Sequence, residues 1–370
     1  DVTYAAITSN GDTTASALAP DLKSDITDTG VVFEDNTKFD TLSYMVPPVG
    51  TTAESNRGRA VFAGGYSTSP DNYRTTIDYV QIQSLGNAVL FGNLSALGLG
   101  EGSACASSTR AIHGGGGPSG SVSNIMEYVT IASASNTTDF GDLVVARRSL
   151  TALANNTRGI WAGGTTPAMR EEIDYATIAT VGNATDFGNL TDPRRNPAVG
   201  SITSTTRGIF AGGNPGSGPN LSDTIDYITI ATTGNATDFG NQATAMREQA
   251  GASSSVRGLF AGGYTSPANL NRIEYITIAT TGNGTDFGDL NITVSGPSGT
   301  SNGTRALFAG GSNPYINSME YVTIATTGNA ADFGDLTVVR MLYSGTSCLL
   351  YTSDAADEGL GVDLGGRRII

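Results

Sequence analysis

The sequence predicts an all-β protein in which one four-stranded unit is written six times. Three observations carry that expectation. Between residues 57 and 336 the stretch RGLFAGGYTSPANLNRIEYITIATTGNGTDFGDL, seen at 257–290, recurs six times with small changes. An aromatic slot falls at Phe62, His113, Trp161, Phe210, Phe260 and Phe308, in steps of 51, 48, 49, 50 and 48 residues. Finally, β-branched runs alternate with a period of two between Gly and Asn turns, and no stretch carries an amphipathic helix stripe. A repeat of about 50 residues is too long for most helical solenoid units and suits the blade of a β-propeller, here one of about six to seven four-stranded blades.

Each unit divides into four strands. The first comes from the Ser/Ala/Thr/Gly-rich stretch before the arginine, such as Leu150 to Ala154, where small side chains suit the crowded axis of a radial array. The second is Arg-Gly-apolar-Phe-Ala and ends on a Gly pair, such as Gly262-Gly263, that permits positive φ or close backbone approach. The third is Ile-Asp/Glu-Tyr-Ile-Thr-Ile, with clean alternation. A Gly-Asn step such as Gly234-Asn235 reads as a tight hairpin turn into the short fourth strand, Asp-Phe-Gly-Asp/Asn-Leu. One spacing is rigid, since a phenylalanine follows each third-strand tyrosine by 12 residues. The gap from the second Gly of the pair to that tyrosine varies from 10 to 14.

Outside the repeats, residues 1–56 read as a connecting segment, a partial blade at most, with one or two strands between Val31 and Tyr44 and a break at Pro47-Pro48. Residues 57–347 are the repeat array. Residues 348–370, CLLYTSDAADEGLGVDLGGRRII, share no repeat feature and resemble an in-frame translation of a sequencing adaptor, a natural tail being the alternative. The array then reads as cut short, with an open sheet flank where the ring fails to close. Without Cys348, Cys105 is the only cysteine and redox compartment is unreadable.

A net charge of −14, with lysine only at Lys23 and Lys38, argues against nucleic-acid binding. No apolar run approaches the ~20 residues that span a membrane, so no membrane insertion is expected.

Strands ordered as hydrophobics, Gly-Gly, variable loop, tyrosine and aromatic make the unit resemble the kelch repeat over residues 57–345. Ala146-Arg147, Met246-Arg247 and Val339-Arg340 sit where that family's blade-opening Ala-Arg belongs, and phenylalanine replaces its fourth-strand tryptophan. The form IDYxTIATxGNATDFGDL also resembles repeats in tail and fibre proteins of environmental bacteriophages. The resemblances imply a virion or extracellular recognition protein whose partner is a host-surface glycan or protein, or other virion proteins, the alternative being a bacterial extracellular or periplasmic propeller that binds glycans or proteins.

Two charged series recur once per unit: Arg59, Arg110, Arg158, Arg207, Arg257 and Arg305, and Asp78, Glu127, Asp174, Asp226, Glu274 and Glu320. Strict repetition marks them as architectural, as ion pairs or turn caps, because a binding site in a propeller usually breaks the repeat. The Asp-Phe-Gly aspartates read as turn caps, and Asp286 with Asp289 offers too few oxygens for calcium. No catalytic residue, metal or cofactor is expected. The single histidine, His113, stands in an aromatic core slot, and Ser-His-Asp, Cys-His and copper-oxidase chemistries all need it. A glycan-processing carboxylate pair is the enzymatic alternative.

The irregular positions point to a surface. The loops between second and third strands differ in length and content, among them YSTSPDNYRTT, YTSPANLNR, SNPYINS and NPGSGPNLSDT, while the third-to-fourth connections barely change. Rigid scaffolds with one diversified face commonly bind through it. Tyr66, Tyr73, Asn214, Tyr264 and Tyr315 are the candidate contacts.

Overall fold

Each repeat folds into one antiparallel blade whose strands step outward from the axis. The structure is a computed structural model that describes residues 58–348 except 68–72, 96–99, 119–120, 217–219 and 313, together with three short strands nearer the N-terminus. Those strands, Ile26–Thr27, Gly30–Val32 and Lys38–Phe39, form a small antiparallel sheet within the unit Asp1–Ser55. The other unit, Asn56–Ile370, holds a β-propeller of six blades. The second blade runs Ser103–Ala106, Arg110–Gly114, Ser123–Thr130, Thr138–Arg147, and the third Thr151–Ala154, Arg158–Ala162, Glu172–Thr177, Thr185–Asn189. The fourth pairs Arg207–Ala211, Ser222–Thr229 and Thr237–Met246 behind an irregular inner segment, residues 198–203. The fifth uses Ala250–Ser253, Arg257–Ala261, Ala268–Thr277 and Thr285–Val294, and the sixth Ser298–Ser301, Arg305–Gly311, Ile316–Thr323 and Ala331–Asp335.

The first blade takes Arg59–Ala63, Thr76–Gln81 and Val89–Asn93 from one end of the array and its inner strand, Ser344–Ser347, from the other. Ser344 pairs with Ala63 and Ser347 with Ala60, so the ring closes at six. The expected open flank is therefore absent. SGTS after the sixth repeat is the missing first strand of the first blade, and it repeats the Ser298–Ser301 sequence because it does the same packing. Cys348 follows it, buried, its N–H donating to Arg59 O at 3.3 Å. Residues 349–370, and with them the expectation of a non-native tail, lie outside the described residues.

The core lies between blades. Each buried cluster joins two neighbours, as where Phe239 and Ile225 of the fourth blade meet Phe260 and Ile278 of the fifth. Burying each such phenylalanine contributes roughly 1.5–3 kcal/mol. The slot residues Phe62, Trp161, Phe210, Phe260 and Phe308 are all buried, with His113 among them.

The two repeated charges staple adjacent blades, but not to each other. Each repeated arginine lies over the tyrosine of its own blade, 4.3 to 4.8 Å from the ring centroid. That ring in turn meets the phenylalanine 12 residues later edge-on, at 5.8 to 6.1 Å. The guanidinium then donates forward to carbonyls of the next blade, as from Arg257 to Ile324 O and Ala325 O. The repeated acid reaches backward. It accepts a backbone N–H from the preceding blade's outer strand in all six cases: Ser95, Val144, Thr191, Ala243, Asn291 and Thr337, at 2.8 to 3.2 Å. The two series are thus two staples running in opposite directions, and the ion pairs that the acids make are with other arginines, Arg147, Arg194, Arg272 and Arg340.

A third staple explains Gly-Asn and Asp-Phe-Gly together. Gly234 and Ala236 donate to Phe187 O and Asn189 O of the preceding blade, while Asn235 Oδ1 accepts the Asn189 N–H at 3.1 Å. Gly-Asn is a clamp rather than a hairpin turn. The glycine after each phenylalanine admits it: a Cβ at Gly188 would lie 2.4 Å from Gly234 O. The Asp-Phe-Gly aspartates cap nothing. Asp186, for one, is exposed and sits opposite Asp174 in the strand register.

At the axis, the inner strands touch backbone to backbone. A Cβ on Gly299 would fall 2.2 Å from Gly251 O, and one on Gly200 2.0 Å from it. Serine hydroxyls knit the strands sideways, Ser347 to Ser301 O, Ser301 to Ser253 O and Ser253 to Thr203 O. No helix among the described residues is long and apolar enough to cross a membrane.

Candidate functional site

The loops between second and third strands and the links between blades share one face. Bridges join them directly, Arg148 to Thr165, Arg195 to Asn214, Arg247 to Tyr264, Ser295 to Ser312 and Met341 to Tyr66. The other connections share the opposite face, where third-strand ends bond to the turns before the arginines, as Ile278 N–H to Val256 O at 2.8 Å.

The centre of the loop face is a closed ring of six hydrogen bonds. Ser149 N–H donates to Glu101 O, Asn196 to Ser149, Glu248 to Asn196, Gly296 to Glu248, Leu342 to Gly296 and Glu101 to Leu342, at 2.7 to 3.1 Å. Each member has φ between +50° and +66°. Five of the six are not glycine and so carry backbone strain that the ring holds in place. Nothing in the sequence disclosed this ring, because only Asn196 and Gly296 are residue types that favour a left-handed turn.

Around it the candidate tyrosines separate into groups. Tyr66 and Tyr73 meet edge-on at 5.4 Å, and Tyr315 leans on Tyr66 at 6.1 Å, so the first and sixth blades jointly present three half-buried rings. Partial burial, and then the neighbouring Tyr66, raise the Tyr315 phenol above its usual pKa. Tyr264 stands apart from this cluster, under the Arg247 guanidinium at 4.9 Å. Asn214 is not offered to solvent: it is 2 % exposed, and its Oδ1 accepts the Gly216 N–H, closing its own loop.

The residues ahead of the ring members matter more than the sequence suggested. At the position seven after the fourth-strand phenylalanine, Arg147, Arg194 and Arg340 are buried and pair with Asp174, Asp226 and Asp78 of the next blade. Met246 and Val294 hold that position at two other boundaries, and there the partner acid is Glu274 or Glu320. Arg247, matched to Arg147 on the sequence, therefore lies one residue past the buried slot and joins Glu248 on the loop face at 3.3 Å.

Desolvation raises Asp174 in spite of Arg147, and it raises two acids that have no buried arginine. Burial raises both Glu274 and Glu320, the backbone N–H from Ala243 or Asn291 only partly offsetting it. Interblade cavities of about 10 Å³ beside Glu320 and about 20 Å³ beside Glu127 and His113 are each the size of one water. Neither admits a saccharide. His113 Nδ1 bonds Ser344 Oγ at 2.9 Å, and burial pushes its pKa down to about 4. Ser344 Oγ donates to Ala63 O, so His113 Nδ1 carries the proton toward it. Among the described residues, no three His, Cys, Asp or Glu side chains gather as metal ligands. No protein-family model matches the chain. No curated protein matches it either.

Proposed function

We propose that this chain is a non-catalytic recognition propeller that binds its ligand on the loop face. The observation that carries this is the asymmetry between the two faces. Every third-to-fourth connection is bonded to the blade before it, so its sequence is held constant by the staple. The opposite loops carry no such repeated bond and differ in length and content in all six repeats, as expected of a surface that serves a ligand. Three tyrosine rings gathered at one boundary suit stacking against a sugar or a peptide.

The partner in this reading is a host-surface glycan or protein, and the setting a bacteriophage tail fibre or adhesin. Support comes from the kelch-like order of the unit and its likeness to phage fibre repeats. Binding of the purified chain to bacterial surfaces and to a panel of their polysaccharides tests it. Expected is saturable binding without release of reducing ends, weakened by Tyr66→Ala and Tyr315→Ala. Release of reducing ends would replace this reading with a glycan-processing enzyme, and no binding to any surface would remove it.

A further inference from the structure

Three consecutive links on the loop face carry arginine at one position: Arg148, Arg195 and Arg247. The remaining described links have Ser295 and Met341 there. Repeat architecture does not demand these arginines, since the side chain that serves the blade boundary, arginine or apolar, is the residue before each link position. The axial ring brings them together. Asn196 N–H donates to Ser149 O at 2.7 Å and Glu248 N–H to Asn196 O at 3.1 Å, so the three preceding arginines stand one hydrogen-bonded step apart.

Two of the three are neutralised. Arg148 pairs with Glu101 at 2.9 Å, and Arg247 with Glu248 at 3.3 Å. Arg195, the middle one, has no carboxylate partner among the described residues, and its Nε is buried without a hydrogen-bond partner. Its neighbours are committed elsewhere: Asn214 Oδ1 accepts from Gly216, and Asn196 Nδ2 donates to Glu248 at 3.1 Å. A guanidinium stays charged at any accessible pH, and partial burial of a lone charge is costly until a counter-charge arrives.

We propose that Arg195 anchors an anion site on the loop face, taking the carboxylate or sulfate of an acidic saccharide. This rests on the recognition reading above. The planar fork of Arg195 matches either group with two parallel hydrogen bonds. The net charge of −14 repels a dense polyanion, so the fitting ligand carries its charges sparsely.

The test titrates the full chain with oligosaccharides that differ in one group: a terminal glucuronate, the same sugar sulfated, and neutral glucose. Expected is binding of an acidic form about tenfold or more tighter than the neutral one. Arg195→Gln removes that advantage, and Arg195→Lys keeps part of it. An unchanged melting temperature in both variants shows the fold intact. The two acidic probes tell carboxylate from sulfate recognition. Equal binding of acidic and neutral forms overturns the anion site while leaving the recognition reading standing, as does an advantage that survives Arg195→Gln. Displacement of every saccharide by an acidic peptide also overturns it. If no saccharide and no cell surface is bound, both readings fall.

Discussion

Arg194 and Asp226 meet at 2.6 Å across the boundary between the third and fourth blades, with both side chains wholly buried. The same boundary chemistry appears at Arg147–Asp174 and Arg340–Asp78, and in each case the acid is aspartate. Where the slot is Met246 or Val294, the acid is glutamate. Shape accounts for the swap. An arginine fills the boundary and leaves room only for a short carboxylate, whereas an apolar side chain leaves space that a longer one crosses to reach the same backbone N–H.

Removing one partner of a buried pair strands the other. Arg194→Met is expected to cost about 3–5 kcal/mol, because Asp226 stays buried without its counter-charge. Combining it with Asp226→Glu recreates the Met246–Glu274 arrangement and should recover a large part of that loss. Urea unfolding of the wild type, both single variants and the double variant gives the coupling energy directly. Additive losses would show that the two boundary types are not alternatives.

The Gly-Asn clamp makes a separate, local prediction. Asn235→Ala removes the acceptor of the Asn189 N–H and should cost about 1 kcal/mol. The Asn189 amide should then exchange with solvent faster, while amides inside the third and fourth blades keep their protection. Equal speeding at all these amides would mean that the clamp acts on global stability alone.

Much of this fold was legible because it repeats. Six copies of the Tyr-to-Phe spacing reveal strand content and bound the blades at about six to seven, and small residues such as those in Thr151–Ala154 mark the inner strand. The partners of the repeated charges were not legible, because a residue seen once per blade can bond within its blade, forward or backward. Arg59 goes forward and Asp78 backward, and only the register across blades decides. Ring closure was hidden for a related reason: Ser344–Ser347 and the strand it completes lie at opposite ends of the array. On the loop face, the tyrosines at 66, 73 and 315 were picked by type and do converge. Arg195 is not legible in the sequence, because what sets it apart is the lack of a carboxylate partner among the described residues.

Crowding at the axis gives a third prediction. Gly299→Ala puts a methyl group 2.2 Å from Gly251 O, and backbone on both sides prevents a rotamer escape. A cost of about 1–3 kcal/mol or more is expected. Gly303→Ala serves as the comparison: no atom lies within 4 Å of its Cβ position, and its φ of +84° isolates the backbone cost alone. Thermal melts of the two variants should rank Gly299→Ala as the more damaging, and the reverse order would mean that the inner strands part easily.

The buried titratable groups predict opposing pH effects that substitutions can separate. Glu320 is held above the usual carboxylate range by burial, so the folded state binds its proton more tightly than the unfolded chain does. Its charge therefore destabilises the fold at neutral pH, and the penalty fades as pH falls through its folded pKa toward the unfolded value of about 4.3. Glu320→Gln should stabilise the protein at pH 7, with the gain vanishing in acid. His113 works in the other direction. Its pKa is lowered to about 4, so between that value and an unfolded pKa of about 6.5 the unfolded chain binds the extra proton. Stability from neutral His113 is thus intact above about pH 6.5 and lost as pH falls toward 4. His113→Phe, the residue type of most other blades at that slot, should flatten this part of the profile while Ser344 keeps its bond to Ala63 O. Unfolding free energies from pH 4 to 8 for both variants measure the two contributions, and a His113→Phe profile parallel to wild type would show that the imidazole is already solvated in the folded state.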